Sequence, residues 1–445
     1  MDRTSYKGTT EWLFGLKRFS KKHNLTNIRR LLKLLRDPHK AFKSIHVTGT
    51  NGKGSTAAMM ASILAEAGYK VGIYTSPHLS SFTERIVVDG RKIPESEVVR
   101  LASEIMPLMD EMAGNDISSR PSYFEVVTAM ALKYFAEKKV DFGVVEVGMG
   151  GRLDATNVIR PLVSVITNVS LEHTGHLGNT VAKIAREKAG IIEKGVPLVT
   201  AADDKEVIAL LEKMCRKKGS EIFLVGRDMT FKKTDSSLDG QRFMLKNADR
   251  EFDLYTPLLG RHQLKNAAVA VCAMEALGRY GIKIPERAVR DGLNNVKWPG
   301  RLEVVQKNPL VVLDCAKDPV AAENLRDAIL DNFKFKRLFL VMSVSSDKDI
   351  PSMVRNLAPI SDMVIAAEHK TRGRAAKAGI ITREVERCGR SFTITKGVKD
   401  AVRKALSMAG KGDMVCVTGS VFTVGEAREL WHKDVDFMWG RELND

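Results

Sequence analysis

The stretch IHVTGTNGKGST, Ile45 to Thr56, sets three glycines and a lysine between an apolar run and a run of good helix formers. A strand that ends in a glycine-rich turn and enters a helix makes an anion site. The first N–H groups of the helix have no internal partner, and the helix dipole is positive there. Glycine lets the backbone curl round phosphate oxygens without a Cβ in the way. Lys53 is placed to reach the β- and γ-phosphates, and the hydroxyl of Ser55 or Thr56 to approach a magnesium ion. Gly49, Thr50, Asn51, Gly52, Lys53, Gly54, Ser55 and Thr56 are therefore the candidate nucleotide loop. Its spacing is tighter than G-x-x-x-x-G-K-[ST], which argues against an ordinary GTPase or kinase.

The rest of the chain alternates in the way such a loop requires. Residues 10–36 carry apolar side chains at three- and four-residue spacing and predict helix, stopped by Asp37-Pro38. SIHVTGT, KVGIYTS, VDFGVVEVG and PLVSVITNV read as strands, with STAAMMASILAEAG and YFEVVTAMALKYFAEKK as helices. Apolar strands separated by helices predict a mostly parallel sheet buried on both faces. Residues 220–256 break the rhythm and read as short antiparallel strands. NNVKWPGRLEVV loses periodicity around Trp-Pro-Gly and marks a hinge. Beyond it LVVLDCA, RLFLVMSV, DMVIAAE and DMVCVTG restart the alternation. The predicted fold class is α/β. An N-terminal P-loop ATPase domain spans 1–296, a hinge 297–300, and a smaller Rossmann-like α/β domain 301–445.

With 445 residues the chain is too long for one ordinary core. Its formal charge of +16 suits nucleic acid or small anions alike, but the basic residues are scattered and few aromatics lie among them. Small anions are the better match, and no nucleic acid partner is expected. No apolar run reaches the roughly 18 residues of a membrane span. Five cysteines, far apart and odd in number, predict neither a disulfide framework nor a zinc site, and favour a reducing cytoplasm.

Outside the loop the residue chemistry alone leaves alternatives open. Glu146 ends a buried strand, where a carboxylate needs a cation and where α/β sheets bind ligands; a structural ion pair is the other reading. A lone histidine such as His173 is more often a hydrogen-bonded structural group than a ligand. Lys188 looks like an ordinary helix lysine. Asn266, Arg301 and Asp314 read as a cap, a hinge ion pair and a strand-end turn.

HVTGTNGKGST resembles the nucleotide loop of the folylpolyglutamate synthase/dihydrofolate synthase family, within the Mur ligase superfamily. Further blocks follow in the family's order: TSPHLSSFTERI, YFE, EVGMGGRLDATN, ITNVSLEHTGHLG, REKAGII, GRHQLKNA, WPGRLE, DKDI and TGS. The resemblance implies ATP-dependent joining of L-glutamate to dihydropteroate or a folylpolyglutamate through an acyl phosphate. It implies ATP and two magnesium ions, with room for a monovalent cation, and a monomer as the expected state. It makes Lys53, Glu146, His173 and Lys188 the catalytic set, and Ser55, Ser76, Glu146, His173 and a carbamylated Lys188 the metal ligands. Asn266, Arg301 and Asp314 match nucleotide-contacting positions. Phe82, Phe124, Asp154, Lys317 and Ser420 are substrate-side candidates, with Tyr123 beside them as a further ring for a flat pterin. One block departs from the pattern: where the family reads D-G-A-H-N-P, this chain reads DCAKDP, with Cys315, Lys317 and Asp318 in place of glycine, histidine and asparagine. That departure opens a second reading, a related ligase acting on another pterin or carboxylate. A non-catalytic nucleotide- or RNA-binding protein is the third.

Overall fold

A computed structural model describes residues 4–17, 24–114, 116–371 and 373–432. The first sheet is built from β1 (Lys43–Thr48), β2 (Val71–Tyr74), β3 (Ile86–Val88), β4 (Arg91–Lys92), β5 (Phe142–Glu146), β6 (Val163–Ile166), β7 (Leu198–Thr200) and β8 (Ile222–Leu224). Their order is β4-β3-β2-β5-β1-β6-β7-β8. From β2 to β8 every pairing is parallel; β3 and β4 close one edge as antiparallel strands. β1 lies between β5 and β6, with Val47 opposite Glu146 and Thr48 opposite Ile166. The phosphate loop, Glu146 and the segment after β6 thus leave the same carboxyl edge, at the point where the chain's crossovers change direction. The central strands β1, β5 and β6 are buried apart from Lys43 at the start of β1, which is why they read as largely apolar runs.

Three strands form a separate antiparallel sheet: β9 (Thr230–Ser237), β10 (Gly240–Lys246) and β11 (Glu251–Thr256). The break in rhythm at 220–256 is thereby explained in part. Its first segment corrects the expectation, because β8 joins the main sheet parallel to β7. Half-buried and only three residues long, it has no pattern that distinguishes an edge strand from a hairpin arm.

The last sheet holds β12 (Glu303–Lys307), β13 (Leu310–Leu313), β14 (Leu338–Met342), β15 (Met363–Ala366), β16 (Ser391–Ile394) and β17 (Met414–Thr418), in the order β12-β13-β17-β14-β15-β16. Only β12 runs antiparallel. Apolar cores cover both of its faces, and Leu79 and Leu259 reach into them from the first half of the chain. The helical stretch predicted over 10–36 holds two helices, Tyr6–Gly15 and Thr26–Leu34; residues 18–23 lie outside the described residues. The connection from the Glu286–Asn295 helix to β12 carries Gly300 at φ +71° and Leu302 at φ +45°. Among the described residues no helix is long and apolar enough to cross a membrane.

Candidate active site

β1 delivers the loop, and the Lys53–Glu66 helix receives it. Gly52 caps that helix at φ +80°, a left-handed conformation in which an L side chain is strained. The loop is clasped from both sides. A Cβ on Gly52 would lie 2.3 Å from Asn266 Oδ1, and one on Gly54 would lie 2.7 Å from the Trp298 ring. The segment after β6 holds it underneath. Asn51 N–H donates to Asn168 Oδ1 at 2.9 Å, Thr167 Oγ1 to the Asn51 carbonyl at 2.6 Å, and Thr50 Oγ1 to the Ser170 carbonyl at 3.2 Å. Lys53 Nζ folds over the loop and donates to the carbonyls of Gly49 and Thr50 at 2.9 and 3.1 Å. The hydroxyls of Ser55 and Thr56 are buried without a hydrogen-bond partner among the described residues. Two buried hydroxyls left unmatched beside a glycine turn are costly unless a ligand completes them.

A charged cluster faces this loop. Glu146 is 4% exposed and accepts one hydrogen bond, from the Ser76 N–H at 3.0 Å. Burial pushes its carboxyl upward, opposed chiefly by Lys53 and also by Arg301 and Lys317. His173 sits at φ +50° with Nε2 3.5 Å from Glu172 Oε1. Burial outweighs that carboxylate and holds the imidazole down at about 4, so the ring is neutral and free to act as a ligand. Lys188 is 1% exposed, and burial, then Lys53, bring its ammonium down to about 7. A lysine poised there is half neutral near pH 7, the state in which an amine can take up carbon dioxide.

The donors fit a hard divalent ion in one specific way. Among the described residues no three His, Cys, Asp or Glu side chains form a ligand cluster. Magnesium is usually held by one or two carboxylates together with waters and substrate phosphates. Glu146, the neutral His173 ring and the Ser55 hydroxyl, unmatched among the described residues, are groups of the kind such an ion accepts.

The other predicted residues divide. Asn266 donates to Gln263 Oε1 at 3.0 Å and turns its Oδ1 to Gly52, at the loop. Arg301 lies in the electrostatic neighbourhood of Glu146 and donates to the Gly300 carbonyl at 3.0 Å. Asp314 spends both oxygens on backbone, accepting from the Leu302 and Ala316 N–H groups at 3.0 and 2.8 Å. Ser420 caps the Val421–Arg428 helix through the Thr423 N–H. Asp154 accepts from Met149 N–H, Thr156 N–H and Thr156 Oγ1, so it braces its own loop. Phe82 is 3% exposed, edge-on to Phe14 and His78, while Phe124 is half-buried and its ring covers Gly148. Tyr123 lies under the Arg85 guanidinium, 5.7 Å from ring centroid to Cζ. Lys317 pairs with Glu172. Sequence reasoning missed Glu172, Asn168 and Trp298. Glu172 is next to His173 in a quoted block, yet nothing local marks an acid whose partner is 145 residues away.

A parallel sheet with a phosphate loop at its switch point, followed by a second α/β sheet, defines a two-part nucleotide-dependent ligase. The Mur ligase middle domain matches residues 47–274, and the Mur ligase glutamate ligase domain matches 300–421. The chain is 35% identical to dihydrofolate synthase/folylpolyglutamate synthase of Bacillus subtilis over 429 residues, covering 96% of this chain and 99% of that protein. Mycobacterium tuberculosis folylpolyglutamate synthase, solved with ADP and AMPPCP, superposes with a TM-score of 0.90 at 34% identity, covering 97% and 100% of the two chains. E. coli FolC in complex with DHPP and ADP gives 0.83 at 31% identity, covering 96% and 97%. The chain belongs to the dihydrofolate synthase/folylpolyglutamate synthase family of Mur ligases.

Proposed function

We propose that this chain is an ATP-dependent ligase that joins L-glutamate to dihydropteroate, to a folylpolyglutamate, or to both. The observation that carries the reading is the pair of buried hydroxyls, Ser55 and Thr56, unmatched among the described residues, in the first turn of the helix that follows the glycine turn. Relatives of nearly the same length support it, among them structures solved with ADP, AMPPCP and DHPP.

The acceptor carboxylate attacks the γ-phosphate, giving ADP and an acyl phosphate; the glutamate amine then attacks the acyl carbon and phosphate leaves. Lys53 leaves the Gly49 and Thr50 carbonyls and turns to the β- and γ-phosphates, offsetting charge that builds on the transferred group. Gly52 and Gly54 let main-chain amides approach the phosphates. Magnesium, held by Ser55, Ser76, Glu146, His173 and a carbamylated Lys188, would supply further charge neutralisation and alignment of the phosphate chain. Asn266 and Arg301 flank the nucleotide, with Asp314 bracing the Arg301–Leu302 turn. Phe124, with Tyr123, offers a ring to the pterin. Residues 1–296 present nucleotide and pterin, and residues 301–445 the incoming glutamate. The hinge at 297–300 closes one on the other and keeps water from the acyl phosphate. The enzyme acts as a monomer in the cytoplasm.

Phosphate release with ATP and glutamate, in the presence of dihydropteroate or tetrahydrofolate, tests the reading. Release with either pterin supports it. Release with neither, or only with an unrelated carboxylate, overturns it.

A further inference from the structure

The loop that departs from its family is also the loop that touches the nucleotide site. It joins β13 to the Pro319–Asn332 helix. Lys317 Nζ pairs with Glu172, a carboxylate 7% exposed on the segment that follows β6. One residue on, Asp318 Oδ1 accepts a 3.2 Å hydrogen bond from Asn51 Nδ2, inside the phosphate loop. The same Oδ1 caps the helix through the Ala321 N–H at 2.9 Å, while Oδ2 is buried with no partner among the described residues. The segments that carry these two N-terminal partners are tied together by the Asn51–Asn168 and Thr50–Ser170 hydrogen bonds.

We propose that Lys317 and Asp318 are positioning residues that dock the half of the chain carrying the second sheet onto the phosphate loop, Lys317 through Glu172 and Asp318 through Asn51. A carboxylate as buried as Glu172 must have a cation. Lys53, Lys188 and His173 lie in its field, but among the described residues Lys317 alone reaches it with a hydrogen bond, and Lys317 comes from the other half of the molecule. Separation of the halves would strip that acid of its partner, so the contact opposes opening. Because Asn51 belongs to the turn that wraps phosphate, nucleotide and docking share one hydrogen-bond network. The substitutions at 317 and 318 therefore act on how the halves meet, with the glutamate side placed through the contact.

Small-angle scattering on the full chain, without nucleotide, tests this independently of any turnover. Lys317→Gln is expected to broaden the distance distribution and enlarge the radius of gyration, and Lys317→Arg to retain the wild-type curve. The exchanged pair, Lys317→Glu with Glu172→Lys, is expected to recover most of the compaction. Should Lys317→Gln fail to fold, Asp318→Ala replaces it, with the same expected broadening. An unchanged curve for the folded variant, or an exchanged pair no more compact than Lys317→Gln, overturns the proposal. A kinetic arm rests on the ligase reading: Lys317→Gln should raise KM for glutamate about tenfold, raise KM for ATP by less, and be rescued by Lys317→Arg. Wild-type enzyme inactive with every pterin would count against that reading and leave the scattering result standing.

Discussion

Replacing Gly52 with alanine isolates the cost of the phosphate turn. The residue sits at φ +80°, where a Cβ costs roughly 1–2 kcal/mol from its own backbone. The added methyl would also lie 2.3 Å from Asn266 Oδ1 and 3.1 Å from its Nδ2. Asn266 is 6% exposed and hydrogen-bonded to Gln263, so it yields only by giving up a bond worth about 1 kcal/mol. Together these give about 2–3 kcal/mol, charged against the turn in its phosphate-ready shape. At about 1.4 kcal/mol per tenfold, nucleotide affinity should fall by roughly 30- to 150-fold. Gly68→Ala supplies the control: its φ is +88°, but a Cβ there meets nothing within 4 Å. It carries the backbone cost alone, away from the loop, so the melting temperature should drop by a few degrees and affinity should hold. Titration calorimetry with ADP and AMPPCP reads both variants. If Gly52→Ala binds within threefold of wild type while remaining folded, the turn is not a phosphate cradle.

Lys53→Ala should lower phosphate release by at least about a hundredfold, the scale seen when one charge-stabilising donor is removed, with the melting temperature little changed. Lys188, brought by burial to about 7, is expected to be neutral above that pH instead of above its ordinary 10.5. A carbamate signal from 13C-labelled bicarbonate should therefore grow between pH 6 and 8 and vanish in Lys188→Arg; a pH-independent signal would contradict the assignment. Gly148→Ala would set a methyl 2.3 Å from Phe124 Cζ and push the ring toward the cleft. KM for the pterin substrate should rise severalfold with KM for ATP unchanged, measured by the same release assay.

What sequence could show depended on how locally each feature is encoded. The strand, glycine turn and helix of 43–66 were readable because they lie within a short run of neighbouring residues. β13, β14, β15 and β17 were readable because strands buried on both faces must be apolar throughout. β16 was not: Ser391–Ile394 is mostly exposed at a sheet edge, and its Ser-Phe-Thr-Ile alternation is too short to stand out. β3 and β4 are too short to carry a period. The roles at the site needed the fold itself. For Glu146 only the fold supplies its burial and its Ser76 N–H partner, which the sequence does not encode locally. The meaning of DCAKDP stayed hidden because Lys317 finds Glu172 only through tertiary packing.

The position of β1 in the middle of its sheet has a consequence for biogenesis. The phosphate loop is completed by groups far downstream: Asn168 and Ser170 stand 117 and 120 residues from their loop partners. At roughly 5–20 residues per second, a ribosome takes about 6–24 seconds to supply them. Until then the loop has a strand behind it and nothing beneath it. Nucleotide in the cell thus has no finished pocket with which to steady the early nascent chain.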